Sequence, residues 1–109
     1  AESMLVAHMF QVLRPIFETM DMDIDQIELT PRGSWRVQTQ QGASIELGRG
    51  TDAELVARLK VFFKTLSQVT SRYGRTATAL AGADLRHKDG YALRLRGVST
   101  VETDSKKKP

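Results

Sequence analysis

The stretch that most limits what this chain can become runs from Thr51 to Gly74. Thr51-Asp52-Ala53-Glu54 fits a capping box, in which the Thr51 hydroxyl and the Glu54 carboxylate satisfy free amides at a helix start. Leu55, Leu59, Phe62, Leu66 and Val69 then recur at spacings of four and three, with Phe63 beside them. Lys60, Lys64 and Arg72 lie toward the far end, as the helix dipole prefers, and Tyr73-Gly74 ends the pattern. A helix with one apolar stripe must bury it against another layer. The sequence on either side supplies strands for that layer.

Ile24–Thr30 alternates loosely and stops at Pro31-Arg32-Gly33, a turn signal. Ser34–Gln40 puts Trp35, Val37 and Thr39 on one face and Arg36 and Gln38 on the other. Gln40-Gln41-Gly42 reads as a hairpin turn, with Ser44–Leu47 returning from it. Thr76–Leu85 reads as a strand interrupted at Gly82, and Lys88-Asp89-Gly90 as a turn. Tyr91–Arg96 is the last strand, with Tyr91, Leu93 and Leu95 on one face. Ahead of the strands, residues 3–20 repeat Leu5, Met9, Val12, Leu13, Ile16 and Met20 at helical spacing, with Ser3 as a cap. Pro15 inside that pattern predicts a kink near Gln11–Arg14, or two short helices sharing a face. The order of one helix, three strands, a second helix and two strands defines an α+β fold. Its sheet is mainly antiparallel, with two helices packed on one face.

At 109 residues there is room for one core. The folded domain is expected over residues 1–97, and 98–109, ending in three lysines and a proline, as a flexible polar and basic tail or vector-derived sequence. The net charge of +3 is too small to suggest a nucleic-acid binder. It is also unevenly placed, since residues 1–28 hold six acids against Arg14 alone while 29–100 hold twelve bases against five acids. The absence of cysteine excludes disulfides, thiol catalysis and cysteine metal sites. No run approaches the roughly 18 apolar residues of a membrane span.

Candidate chemistry is sparse. Gly48-Arg49-Gly50 before a helix start invites a phosphate-site reading, but it lacks the glycine pattern and lysine of a P-loop and is better read as a strand-to-helix turn. Asp21, Asp23 and Asp25 open like a calcium loop. The positions that need glycine and glutamate hold Gln26 and Arg32, so the motif fails. His8 and His87 stand in different elements, and no serine carries a nucleophile signature. Trp35 reads as core. These residues point away from an enzyme and away from any metal or cofactor. What remains is a final strand followed by a loose tail, an arrangement that places unpaired amides and carbonyls at a sheet edge where another chain's strand can add.

Ser34-Trp35-Arg36, Ile45-Glu46-Leu47-Gly48-Arg49-Gly50, the helix with Arg58-Leu59 and Phe62, and Asp84-Leu85-Arg86-His87-Lys88-Asp89-Gly90-Tyr91-Ala92 occur in the order seen in the FtsQ/DivIB family of bacterial cell-division proteins. The chain resembles the C-terminal part of that family's periplasmic β domain over about residues 4–96. The resemblance implies a non-enzymatic divisome scaffold at the periplasmic face of the inner membrane, at the septum, whose full-length form has one membrane helix. It implies the periplasmic segments of FtsB and FtsL as partners, FtsB partly by strand addition, and a part in regulating septal peptidoglycan synthesis. By position, the partner site carries over to Arg32, Arg86, His87, Gly90, Tyr91, Ala92, Leu93, Arg94 and Leu95. Arg32 and Arg86 would offer forked donors to partner carboxylates. Gly90 would admit the partner's backbone, and Tyr91 would supply an amphipathic anchor. His87 stands where the family usually has tyrosine, which makes that contact smaller and opens it to pH. Leading strands of the β domain are missing from this stretch. An open sheet, or one completed by a second copy, is therefore expected. A rival reading is an anion- or cell-wall-binding domain using Arg36, Arg49, Arg94 and Arg96.

Overall fold

The computed structural model describes residues 2–86 and 91–97. The expectations for His87, Gly90 and the tail at 98–109 lie outside these residues. Helix α1 spans Glu2–Glu18, strands β1, β2 and β3 span Ile24–Leu29, Trp35–Thr39 and Ser44–Gly48, and helix α2 spans Asp52–Arg72. A 3-10 turn at Ala77–Ala79 leads into β4 (Leu80–Asp84), and β5 (Ala92–Leu95) closes the described chain. The α+β architecture follows the sequence pattern.

Helix α1 buries Met9, Leu13 and Phe17, one residue per turn, and α2 buries Leu55, Leu59, Phe62, Phe63, Leu66 and Val69. Phe17 meets Phe63 edge-on at 5.2 Å, which joins the two helices. The capping box at Thr51 is present in both directions. Pro15 neither splits α1 nor ends it, in contrast to the two-helix expectation. The stripe on either side of Pro15 packs on one surface, and that packing outweighs the single hydrogen bond the imide lacks. Ser3 lies inside the first turn rather than ahead of it. The helix ends where Met22 donates its amide to Phe17 O and Asp21 turns to φ +58°, which returns the buried Met22 to the core.

The sheet has the order β1-β2-β3-β4-β5. Three of its four pairings are antiparallel. The fourth, β3 with β4, is parallel and is bridged by α2 as a crossover helix. Val37, Ile45, Leu47, Leu80 and Leu85 face the helices, together with Trp35, which is core as expected. The other face carries Glu28, Arg36, Glu46, Asp84 and Arg94. The strand expected from Thr76 begins only at Leu80, because Ala79 N–H bonds back to Thr76 O in the 3-10 turn that carries the chain from α2 to the sheet. Gly82 does not interrupt β4; it pairs with both Ser44 and Arg94. Among the described residues the sheet is open, with β1 at one edge and β5 at the other. No helix among the described residues is long and apolar enough to cross a membrane.

Candidate partner-binding edge

Strand register decides which of the sequence-derived residues meet. Leu29 pairs with Trp35 and Trp35 with Gly48, while Glu46 pairs with Asp84 and Asp84 with Ala92. The turn carrying Arg32, the Gly48-Arg49-Gly50 turn, Arg86 and Tyr91 therefore all lie at one end of the sheet, beside the start of α2. The glycine turn there is structural. Gly48 has φ +85° and Gly50 φ +151°, values that favour glycine, and a Cβ on Gly48 would lie 3.0 Å from Arg86 Cγ. From α2, Arg58 Nη1 donates to Leu47 O at 2.6 Å and to Arg49 O at 3.0 Å. Arg58 thus pins the turn over which the Arg86 stem lies. The helix start also does not suit an anion. Thr51 N–H already donates to Glu54, and Asp52 and Glu54 place negative charge in the first turn.

Arg86 already has a partner within the chain. Its Nε donates to Asp84 Oδ1 at 2.9 Å and its Nη2 to Asp84 Oδ2 at 2.7 Å, so the fork is engaged within the chain. The hydrogen bond it donates to Asp84, reinforced by that carboxylate's charge, holds the pKa of this guanidinium above its ordinary value. Arg32 is exposed on its turn. Tyr91 is half-buried, with its ring 5.4 Å from Phe62 at 77°, and it fixes the start of β5 to the core in addition to any surface it offers. Neither Asp84 as the holder of Arg86 nor Arg58 as the clamp was assigned these roles from sequence. The two-residue spacing of Asp84 and Arg86 was the available sign for the first, since it places both side chains on one strand face. The second depends on where α2 docks.

Backbone direction shows what β5 leaves free. Leu85 N–H donates to Glu46 O on β3, so by strand alternation Gly82 and Asp84 turn theirs toward β5. Arg96 N–H donates to Ala79 O, so Arg94 and Ala92 also point inward to β4. The amides and carbonyls of Leu93 and Leu95 point outward, away from β4. At the far end of the strand, Arg75 Nη2 holds Arg96 O and Arg96 Nη2 reaches Thr78 O. The strand is thus fixed at both ends, with an outer edge between them that no other strand among the described residues pairs. On its solvent face a shallow groove of about 420 Å³ runs over Gly82, between Ser44, Asp84, Ala92 and Arg94.

The arginine face required by the anion-binding reading is largely committed. Arg36 donates to Glu46 and, at 3.1 Å, to Glu28. Its guanidinium is held above its ordinary value chiefly by the Glu46 hydrogen bond and charge, with Glu28 adding to them. Arg96 is spent on Thr78 O. Of that set, Arg49 and Arg94 remain.

Among the described residues the site is thus one end of an open α+β sheet, arginine-bearing and bordered by the anchored strand β5. Sequence comparison supplies the family: the description "Cell division protein FtsQ/DivIB, C-terminal" matches residues 1–86, and the chain belongs to that family. It is 36% identical over 94 residues to the cell division protein FtsQ of Thiomonas arsenitoxydans, covering 85% of this chain and 34% of that one. To the FtsQ of Nitrosospira multiformis it is 33% identical, covering 82% of this chain and 35% of that one. The FtsQ of Xanthomonas campestris pv. campestris is 31% identical across 100% of this chain and 36% of its own length. The chain thus spans about a third of these relatives, and its family role is in cell division.

Proposed function

We propose that this chain is the C-terminal part of the periplasmic β domain of an FtsQ-type divisome scaffold. It acts as a non-enzymatic docking module for the periplasmic segments of FtsB and FtsL, at the periplasmic face of the inner membrane at the septum. FtsB adds a strand to β5, and this docking helps regulate septal peptidoglycan synthesis. The observation that carries the reading is the edge of β5: Tyr91 on Phe62 and the Arg75 and Arg96 contacts hold the strand, while Leu93 and Leu95 leave their backbone groups outward. Arg86 lies beside that edge at one end of the sheet, and the Arg32 turn lies at the same end but across the sheet, between β1 and β2. His87 and Gly90 belong to the same proposed site.

Calorimetric titration with the C-terminal periplasmic segment of FtsB from the same organism tests this. Wild type is expected to bind, and Arg86→Ala to bind roughly five-fold or more weakly, a loss of about 1 kcal/mol or more. Tyr91→Phe keeps the packing on Phe62 and removes the hydroxyl, so it separates an anchoring role from a core role. Binding that ignores Arg86→Ala would move the site. No binding by the folded wild type would remove the reading.

A further inference from the structure

The solvent face of the sheet is built in transverse rows with different charge. One row runs Glu28, Arg36, Glu46, Asp84, Ala92 across all five strands, and Arg86 folds back onto Asp84 beside it. The next row runs Gln26, Gln38, Ser44, Gly82, Arg94. Arg94 is the single charge in that second row. Its guanidinium lies over Gly82, with Nη2 3.2 Å from where a Cβ would stand there. Among the described residues no carboxylate or carbonyl meets it, whereas Arg36 has two carboxylates and Arg86 one. Among the described residues the sheet supplies no acid in the row of Arg94, so an acid placed beyond β5 would meet a guanidinium with no competing partner.

Building on the strand-addition reading above, we infer that the segment accepted by β5 carries an acidic side chain opposite Arg94, on the solvent face, and no acid opposite Ala92. Because Arg94 turns its backbone groups inward, a strand added antiparallel meets it at a non-hydrogen-bonded position, where facing side chains are closest. Two residues away, the row of Ala92 holds Asp84 and Glu46, whose arginines Arg86 and Arg36 are already engaged, so a further carboxylate finds no free cation there. A slip of two residues along the edge would bring the partner's acid from Arg94 to Asp84. The two rows therefore set register as well as affinity.

The test is titration of the full chain with the same FtsB segment, using Arg94→Glu, Arg94→Gln and single acid-to-lysine changes in the segment. Arg94 is exposed, and circular dichroism confirms that each variant is folded. Arg94→Glu is expected to weaken binding by about three- to thirty-fold, since it replaces a facing attraction by a repulsion, and Arg94→Gln by less. One acid-to-lysine segment should restore binding to Arg94→Glu while weakening its binding to wild type. Unchanged affinity of Arg94→Glu, or a loss that no segment reversal repairs, would overturn the inference and leave strand addition standing. Failure of the wild type to bind would overturn both.

Discussion

The two edges of this sheet are treated in opposite ways. Strand β1 is flanked and faced by Asp23, Asp25 and Glu28, and its pairing with β2 is irregular between Ile24 and Gln26. Like-signed charge and a bulge are both means by which natural sheets discourage edge-to-edge pairing. Strand β5 has four residues, no acid, three small or apolar positions besides Arg94, and neighbours that fix it at both ends. The irregularity on that side falls in β4, between Leu80 and Gly82, leaving the outer strand regular. A straight, anchored edge free of acids favours addition of a further strand, as the proposed function requires of β5, whereas a bulge and like-signed charge disfavour it at β1.

Changes that unseat one edge and spare the other break the comparison most sharply. Phe62→Ala removes a fully buried ring that also supports Tyr91, with an expected loss of about 3–5 kcal/mol in urea unfolding. If the protein remains folded, the amides of β5 should exchange faster by a larger factor than those of β1. Gly48→Ala comes next. Positive φ and the 3.0 Å approach to Arg86 Cγ predict a loss of about 1–2 kcal/mol by the same measurement, with FtsB-segment binding weakened beyond what stability explains because Arg86 is displaced. The smallest effect is at the β1 edge. Asp25→Ala should leave segment affinity unchanged, shift stability by no more than about 0.5 kcal/mol, and raise self-association slightly in sedimentation at high concentration.

Much of this was legible in the sequence because it is local. The capping box at Thr51, the stripe of α2, the turns at Gly33 and Gly42, and the alternation of Trp35, Val37 and Thr39 each depend on neighbours within a few residues. What failed depends on tertiary contact. Pro15 offers two short helices sharing a face as one expectation, yet the helix is single because the apolar surface on both sides of the proline is continuous. Ala77–Ala79 carries no large side chain to betray a period, so a 3-10 turn passed for strand. The site divides along the same line. That Arg32, Arg86 and Tyr91 share one end of the sheet follows from register, including a parallel β3–β4 pairing that no short motif encodes. Whether the Arg86 fork faces a partner or Asp84, and whether Tyr91 faces solvent or Phe62, is set by packing between elements far apart in sequence.

The most direct measurement is amide hydrogen exchange, residue by residue, on the chain with and without the FtsB segment. Strand addition at β5 predicts new protection at Leu93 and Leu95, whose amides point outward, with Ala92 and Arg94 already protected by β4 and β1 unchanged. Protection appearing along Ile24–Leu29, or binding that leaves Leu93 and Leu95 exchanging as in the free chain, would contradict the account.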